Sequence, residues 1–89
     1  MLLQQGAVES YDSDRGIVKF TMLDGDRTVL CAITTAAMDD LEASRNSGLE
    51  RVEQFMRLRA KIEARAASKF EEQGEINKVV MLRSNDFSK

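Results

Sequence analysis

The sequence predicts an α+β fold, a small antiparallel sheet with one short and one long helix packed on the same face. Three observations predict it. Residues 49–73 carry apolar side chains at a helical period. Residues 15–34 read as two strands flanking Asp24-Gly25-Asp26, which is hairpin chemistry. The 89 residues show no internal repeat, low-complexity run or linker, so 1–89 is one domain. A chain this short buries about 60–65% of its unfolded surface, which allows one small core.

Residues 1–10 form a candidate edge strand through Leu2, Leu3 and Val8, and Tyr11-Asp12-Ser13-Asp14 is turn chemistry. The hairpin follows at 15–34. A loop of Asp24-Gly25 pairs Phe20 with Val29 and Val18 with Cys31. A loop of Gly25-Asp26 pairs Phe20 with Cys31 and Val18 with Ile33. Either even-length loop puts Val18, Phe20, Met22, Val29, Cys31 and Ile33 on one face, because the side-chain period of a strand is two. The other face holds Ile17, Lys19, Thr21, Leu23, Thr28, Leu30 and Ala32. It is half polar, yet apolar enough to need cover from residues 1–10, from the last strand or from a second copy of the chain.

A short helix is expected at 36–43, capped by Thr34 or Thr35, with Asp39 and Asp40 in its first turns and Ala37, Met38 and Leu41 buried. The long helix occupies 49–73. Ser47 and Glu50 have the spacing of a capping box, and Gly74 suits the residue that ends a helix. Its apolar stripe is Val52, Phe55, Met56, Ile62, Ala66 and Phe70. Glu50, Arg57, Lys61, Arg65 and Glu72 face solvent. Arg59 falls inside the stripe. Glu63, one turn on, is its partner by spacing, with Asp24, Asp26 and Asp86 as distant alternatives. Its stem is expected to cover the core edge while the head reaches Glu63 or water. A strand at 76–83 and a tail at 84–89 close the chain.

This order of residues resembles a family of short, uncharacterised bacterial proteins known as a domain of unknown function. The features that carry the resemblance run over roughly residues 11–83. They are Val18-x-Phe20, then Val29-x-Cys31-x-Ile33, then Thr34 before a short helix, then Phe55, Arg59, Ile62, Glu63, Ala66 and Lys69, then a closing strand. The family pattern has Glu before the Ala-Leu pair of the first helix, whereas Ala36 stands there in this chain and Met38 replaces the Leu. The resemblance implies a small α+β fold and brings no activity.

Composition excludes several kinds of function. With no His and one Cys, the chain cannot assemble a Cys/His zinc site, a Ser-His-Asp triad or a Cys-His pair. Its five glycines are scattered, so no phosphate loop is present and no cofactor is expected. Carboxylate acid–base chemistry and oxygen-ligated metals stay open, and no spacing signals either. Cys31, mid-strand on the apolar face, is expected to be a core residue, not a nucleophile. No apolar run approaches the roughly 20 residues of a membrane span. The single Cys and the polar Gln4-Gln5 after Met1-Leu2-Leu3 give the expectation of a cytoplasmic protein without a secretion signal.

Net charge is −2, but residues 1–50 carry four Lys/Arg against nine Asp/Glu and residues 51–89 carry nine against six. Arg51, Arg57, Arg59, Lys61, Arg65 and Lys69 lie on the long helix, a stripe that could follow phosphates. The low pI of about 5.1 and 6% aromatic content argue against that use. The expectation is therefore a non-catalytic binding or regulatory module with a protein partner or a second copy of itself. Nucleic-acid association through the basic helix is the alternative, and an enzyme using carboxylate and arginine chemistry is third. Arg59 and Glu63 mark the candidate partner site.

Overall fold

Strand alternation and the helical stripe meet across a single core. A computed structural model describes residues 3–42, 50–74 and 78–87. In chain order the elements are β1 (Gln4–Asp12), β2 (Ile17–Asp24), β3 (Arg27–Thr34), α1 (Thr35–Glu42), α2 (Arg51–Gln73), β4 (Val80–Leu82) and a 3-10 turn (Ser84–Asp86). The sheet order is β1-β2-β3-β4.

The hairpin turns through Gly25-Asp26. Asp24 pairs with Arg27, Phe20 with Cys31 and Val18 with Ile33, which selects the second of the two registers. Gly25 has φ 63°, as a turn with glycine at its first central position requires. All six residues expected on the inner face are buried. They pack under Ala37, Met38, Phe55, Ile62 and Ala66 of the two helices. The Phe20 and Phe55 rings lie 4.9 Å apart at 48°.

Three expectations about elements are corrected. The sheet is mixed. β1, β2 and β3 run antiparallel, but β4 pairs parallel to β3, with Cys31 opposite Val80 and Ile33 opposite Leu82. The chain returns through both helices before β4, which is the long crossover a parallel pair demands. The last strand spans Val80–Leu82, shorter than 76–83, and residues 75–77 lie outside the described part. The tail is structured, since Ser84–Asp86 form a 3-10 turn and Phe87 packs against the core.

The edge strand at the N-terminus is longer than expected and runs through Tyr11 to Asp12. It carries two irregularities, between Gln5 and Val8 and between Val8 and Ser10, where extra residues oppose β2. β1 and β4 thus widen the sheet at its two edges, and the bulge of β1 lies over Thr21.

α1 starts where Thr34 Oγ1 accepts from the Ala37 amide at 3.1 Å, and its Ala37 and Met38 are buried. The start of α2 differs from the expected capping box. Glu50 is itself the cap, its carboxylate accepting from the Val52 amide at 3.1 Å, and Ser47 lies outside the described residues. Gly74 ends the helix with φ 70° and donates its amide to the Phe70 carbonyl at 2.8 Å. The buried face of α2 is Gln54, Phe55, Leu58, Ile62, Ala66 and Ala67. Met56 is 49% exposed and leaves the stripe, while Leu58 joins it. The buried stripe is thus rotated and runs through Phe55, Leu58 and Ile62.

Candidate functional site

Arg59 lies on the flank of that rotated stripe, where its side chain is 20% exposed. Nε donates to Glu63 Oε2 at 2.8 Å, and Nη2 donates to the Gly6 carbonyl at 3.0 Å. Glu63 Oε1 accepts from Gln5 Nε2 at 3.0 Å. The local partner is the one expected from spacing. Asp24, Asp26 and Asp86 make no contact with Arg59, and the distant partner is a backbone carbonyl in β1. The pair therefore ties the long helix to the bulge of the edge strand.

That bulge is fixed from below as well. Thr21 Oγ1 accepts from the Ala7 amide at 3.0 Å and donates to the Ala7 carbonyl at 3.3 Å. Gly6 crosses so close over Thr21 that an added Cβ would collide with the Thr21 carbonyl, its carbonyl carbon and Oγ1. Only glycine fits that crossing.

Four further cations of α2 are also engaged. Arg51 meets Asp39 at 2.8 Å, and Arg57 forms two hydrogen bonds with Glu42 at 3.0 and 3.2 Å. Its hydrogen bonds to Glu42 raise the Arg57 pKa; desolvation opposes them, and the negative charges of Glu42 and Glu53 add smaller upward contributions. Between these pairs sits Gln54, 0% exposed, donating to Asp39 and Glu42 at 2.9 and 3.1 Å and accepting from Arg51 at 2.7 Å. Lys69 donates to the Met81 carbonyl at 2.6 Å and to Asp86 at 3.0 Å; Arg65 donates to the Asp86 carbonyl at 2.6 Å. Asp86 also accepts from the Arg83 amide at 2.8 Å. Of these, sequence reasoning placed Arg57 and Arg65 on the solvated face. It missed Gln54, whose polarity argues against a core position until its three partners are known.

The other candidate is the second face of the sheet. Both helices pack on the inner face; on the outer one Ile17, Thr21 and Ala32 are buried while Leu30 stands out. A hollow of about 450 Å³ opens there, with Ile17, Leu30, Ala32, Val79 and Met81 as its apolar lining and Glu9, Arg15 and Lys19 as its charged lining. Ala32 is short, so its neighbours stand above it and leave a depression. Leu30 is 45% exposed in the middle of β3. The charged groups are loosely tied to the turn, with Arg15 at 3.8 Å and Lys19 at 3.9 Å from Asp12. Cys31 lies on the opposite, inner side, 2% exposed. Among the described residues no cluster of three or more metal-ligating side chains occurs, and no helix is long and apolar enough to cross a membrane.

The sequence profile of a protein family of unknown function, DUF1488, matches residues 5–81. The chain belongs to the DUF1488 family. Among curated proteins none matches. The fold of this DUF1488 protein is similar to a crystal structure, at 1.60 Å, of a DUF1488-family protein of unknown function from Shewanella loihica PV-4. The TM-score is 0.73 at 17% identity, over 91% of this chain and 89% of that one. At that identity the likeness speaks for the fold alone. It confirms the α+β architecture, while the family match over residues 5–81 bears out the resemblance drawn from the spaced hydrophobic residues.

Proposed function

We propose that this DUF1488 protein is a non-catalytic binding module of the cytoplasm, and that it meets a protein partner through the outer face of its sheet. The observation that carries the reading is the shallow apolar hollow around Ala32, with Leu30 standing exposed beside it. Apolar side chains left open on rigid strands and bordered by charge are the usual anatomy of a protein-binding patch. Elsewhere most cations of α2 are spent on acids. Arg51, Arg57, Arg59, Arg65 and Lys69 each pair with a carboxylate that holds two parts of the fold together. Such pairing favours binding over acid–base chemistry, so an enzyme remains the third reading. The lone, buried Cys31 suits a reducing compartment.

The second reading is nucleic-acid association along α2. Its support is the density of cations on one helix, and the engagement of five of them by acids weighs against it.

The test is differential capture from native cell extract. Wild type, Leu30→Glu and Arg59→Met serve as baits. The reading expects a partner retained by wild type and by Arg59→Met and lost with Leu30→Glu. Capture that ignores Leu30→Glu but fails with Arg59→Met would move the site to the α2–β1 junction and overturn the reading.

A further inference from the structure

We propose that the outer sheet face docks on a second copy of this chain, face to face, about a two-fold axis that runs across the strands. The inference rests on the reading of that face as the binding surface.

Docking by strand addition is disfavoured first. The two edge strands are β1 and β4. β1 is bent by two irregularities, and the Gly6 carbonyl in it is taken by Arg59. β4 has three residues, and its Met81 carbonyl is taken by Lys69. Bulged, short or occupied edges discourage a new strand. What the molecule leaves open is the face.

The polarity of that face selects the axis. Charge gathers on the β1–β2 side, at Glu9, Arg15 and Lys19, and apolar surface on the β3–β4 side, at Leu30, Val79 and Met81 around the buried Ala32. An axis parallel to the strands would lay β1 over β4 of the second copy and press charge onto apolar surface, which costs desolvation without pairing. An axis across the strands lays each strand over its own counterpart. Leu30 and Met81 then meet apolar surface of the second copy, and the depression over Ala32 receives an apolar side chain. The charged half holds both signs, so Glu9 of one copy can face Lys19 or Arg15 of the other. A surface that carries its own complement is what an isologous contact needs. Twisted sheets also stack readily with their strands nearly aligned.

Size sets the strength. Three strands of eight or nine residues and the three-residue β4, about 4.8 Å apart, give a footprint of roughly 450 Å² per copy. Two such faces reach only about the 1,000 Å² at which specific interfaces begin. The dimer is therefore weak, with a dissociation constant on the order of micromolar.

Sedimentation velocity over a dilution series through the micromolar range tests this, with melting curves to confirm that each variant is folded. Wild type should shift from monomer to dimer with concentration. Leu30→Glu should stay monomeric. Glu9→Lys and Lys19→Glu should each weaken the dimer about tenfold, and the double variant Glu9→Lys/Lys19→Glu should recover most of the loss. A wild type that is monomeric at the highest concentration, or a dimer that survives Leu30→Glu, overturns the self-docking. A double variant no tighter than the singles overturns the axis. Extract capture lost with Leu30→Glu would then still support the face as a site for a different protein, so the two readings fail separately.

Discussion

Gln54 shows how far one polar residue can serve a small core. It is buried at the junction of α1 and α2, yet both ends of its amide are bonded, to Asp39, Glu42 and Arg51. Replacement by Ala leaves those charged partners with unmet bonds in a partly dry junction, so Gln54→Ala should cost about 1–3 kcal/mol. Urea denaturation measures it; a cost below about 0.5 kcal/mol would mean that water replaces the amide freely. Phe55 is the apolar counterpart, fully buried against Phe20. Phe55→Ala should cost about 3–5 kcal/mol. That is most of the total stability of a domain this size, on the order of 4–13 kcal/mol. A melting temperature within a few degrees of wild type would contradict the packing. Cys31 shares this core, and its thiol should resist labelling until denaturant is added; fast native labelling would contradict its facing.

At the scale of elements, α2 works as a clamp. Its core-facing residues hold the sheet, and its flanking cations fasten chain segments that have little apolar surface of their own. Arg59 secures the bulge of β1, while Arg65 and Lys69 secure the segment after β4. Arg59→Met keeps the stem and removes the donors. It should lower stability by about 1–2 kcal/mol and raise amide exchange in β1 around Gly6. Asp86→Ala should act at the other end, where exchange of the Asp86 and Phe87 amides is expected to rise while β2 and β3 stay protected. If exchange rises evenly across the sheet in either variant, the clamp is not local and the assignment fails.

The whole molecule gathers an acidic first half onto a basic second half. Asp39 and Glu42 of α1 meet Arg51 and Arg57 of α2. Among the described residues Lys61 is the cation of the α2 stripe that pairs with no acid. Consumption of the others predicts weak, non-specific binding of nucleic acid. Fluorescence anisotropy with DNA and RNA should detect little association, lost by about 0.2 M salt. Tight binding that persists at that salt, and falls with Lys61→Glu, would instead establish α2 as a nucleic-acid surface.

The chain's periodicities alone determined the α+β class, the inner face of the hairpin, the existence of both helices and the Arg59–Glu63 pair. These are local consequences of a period of two or of 3.6 and of contacts one turn apart, so nearby residues suffice to specify them. Tertiary structure decided the rest. The parallel direction of β4 depends on where α2 delivers the chain. Exchange of Met56 for Leu58 in the buried stripe depends on how the helix settles on the sheet. Gln54 enters the core because three charged groups from two helices converge on it. Asp86, in the stretch read as a tail, becomes an anchor because Arg65 and Lys69 reach it from 21 and 17 residues away. The hollow over Ala32 has the same origin: a small side chain makes a depression only when taller neighbours on β2, β3 and β4 surround it, and the pairing that gathers them is not local to the chain.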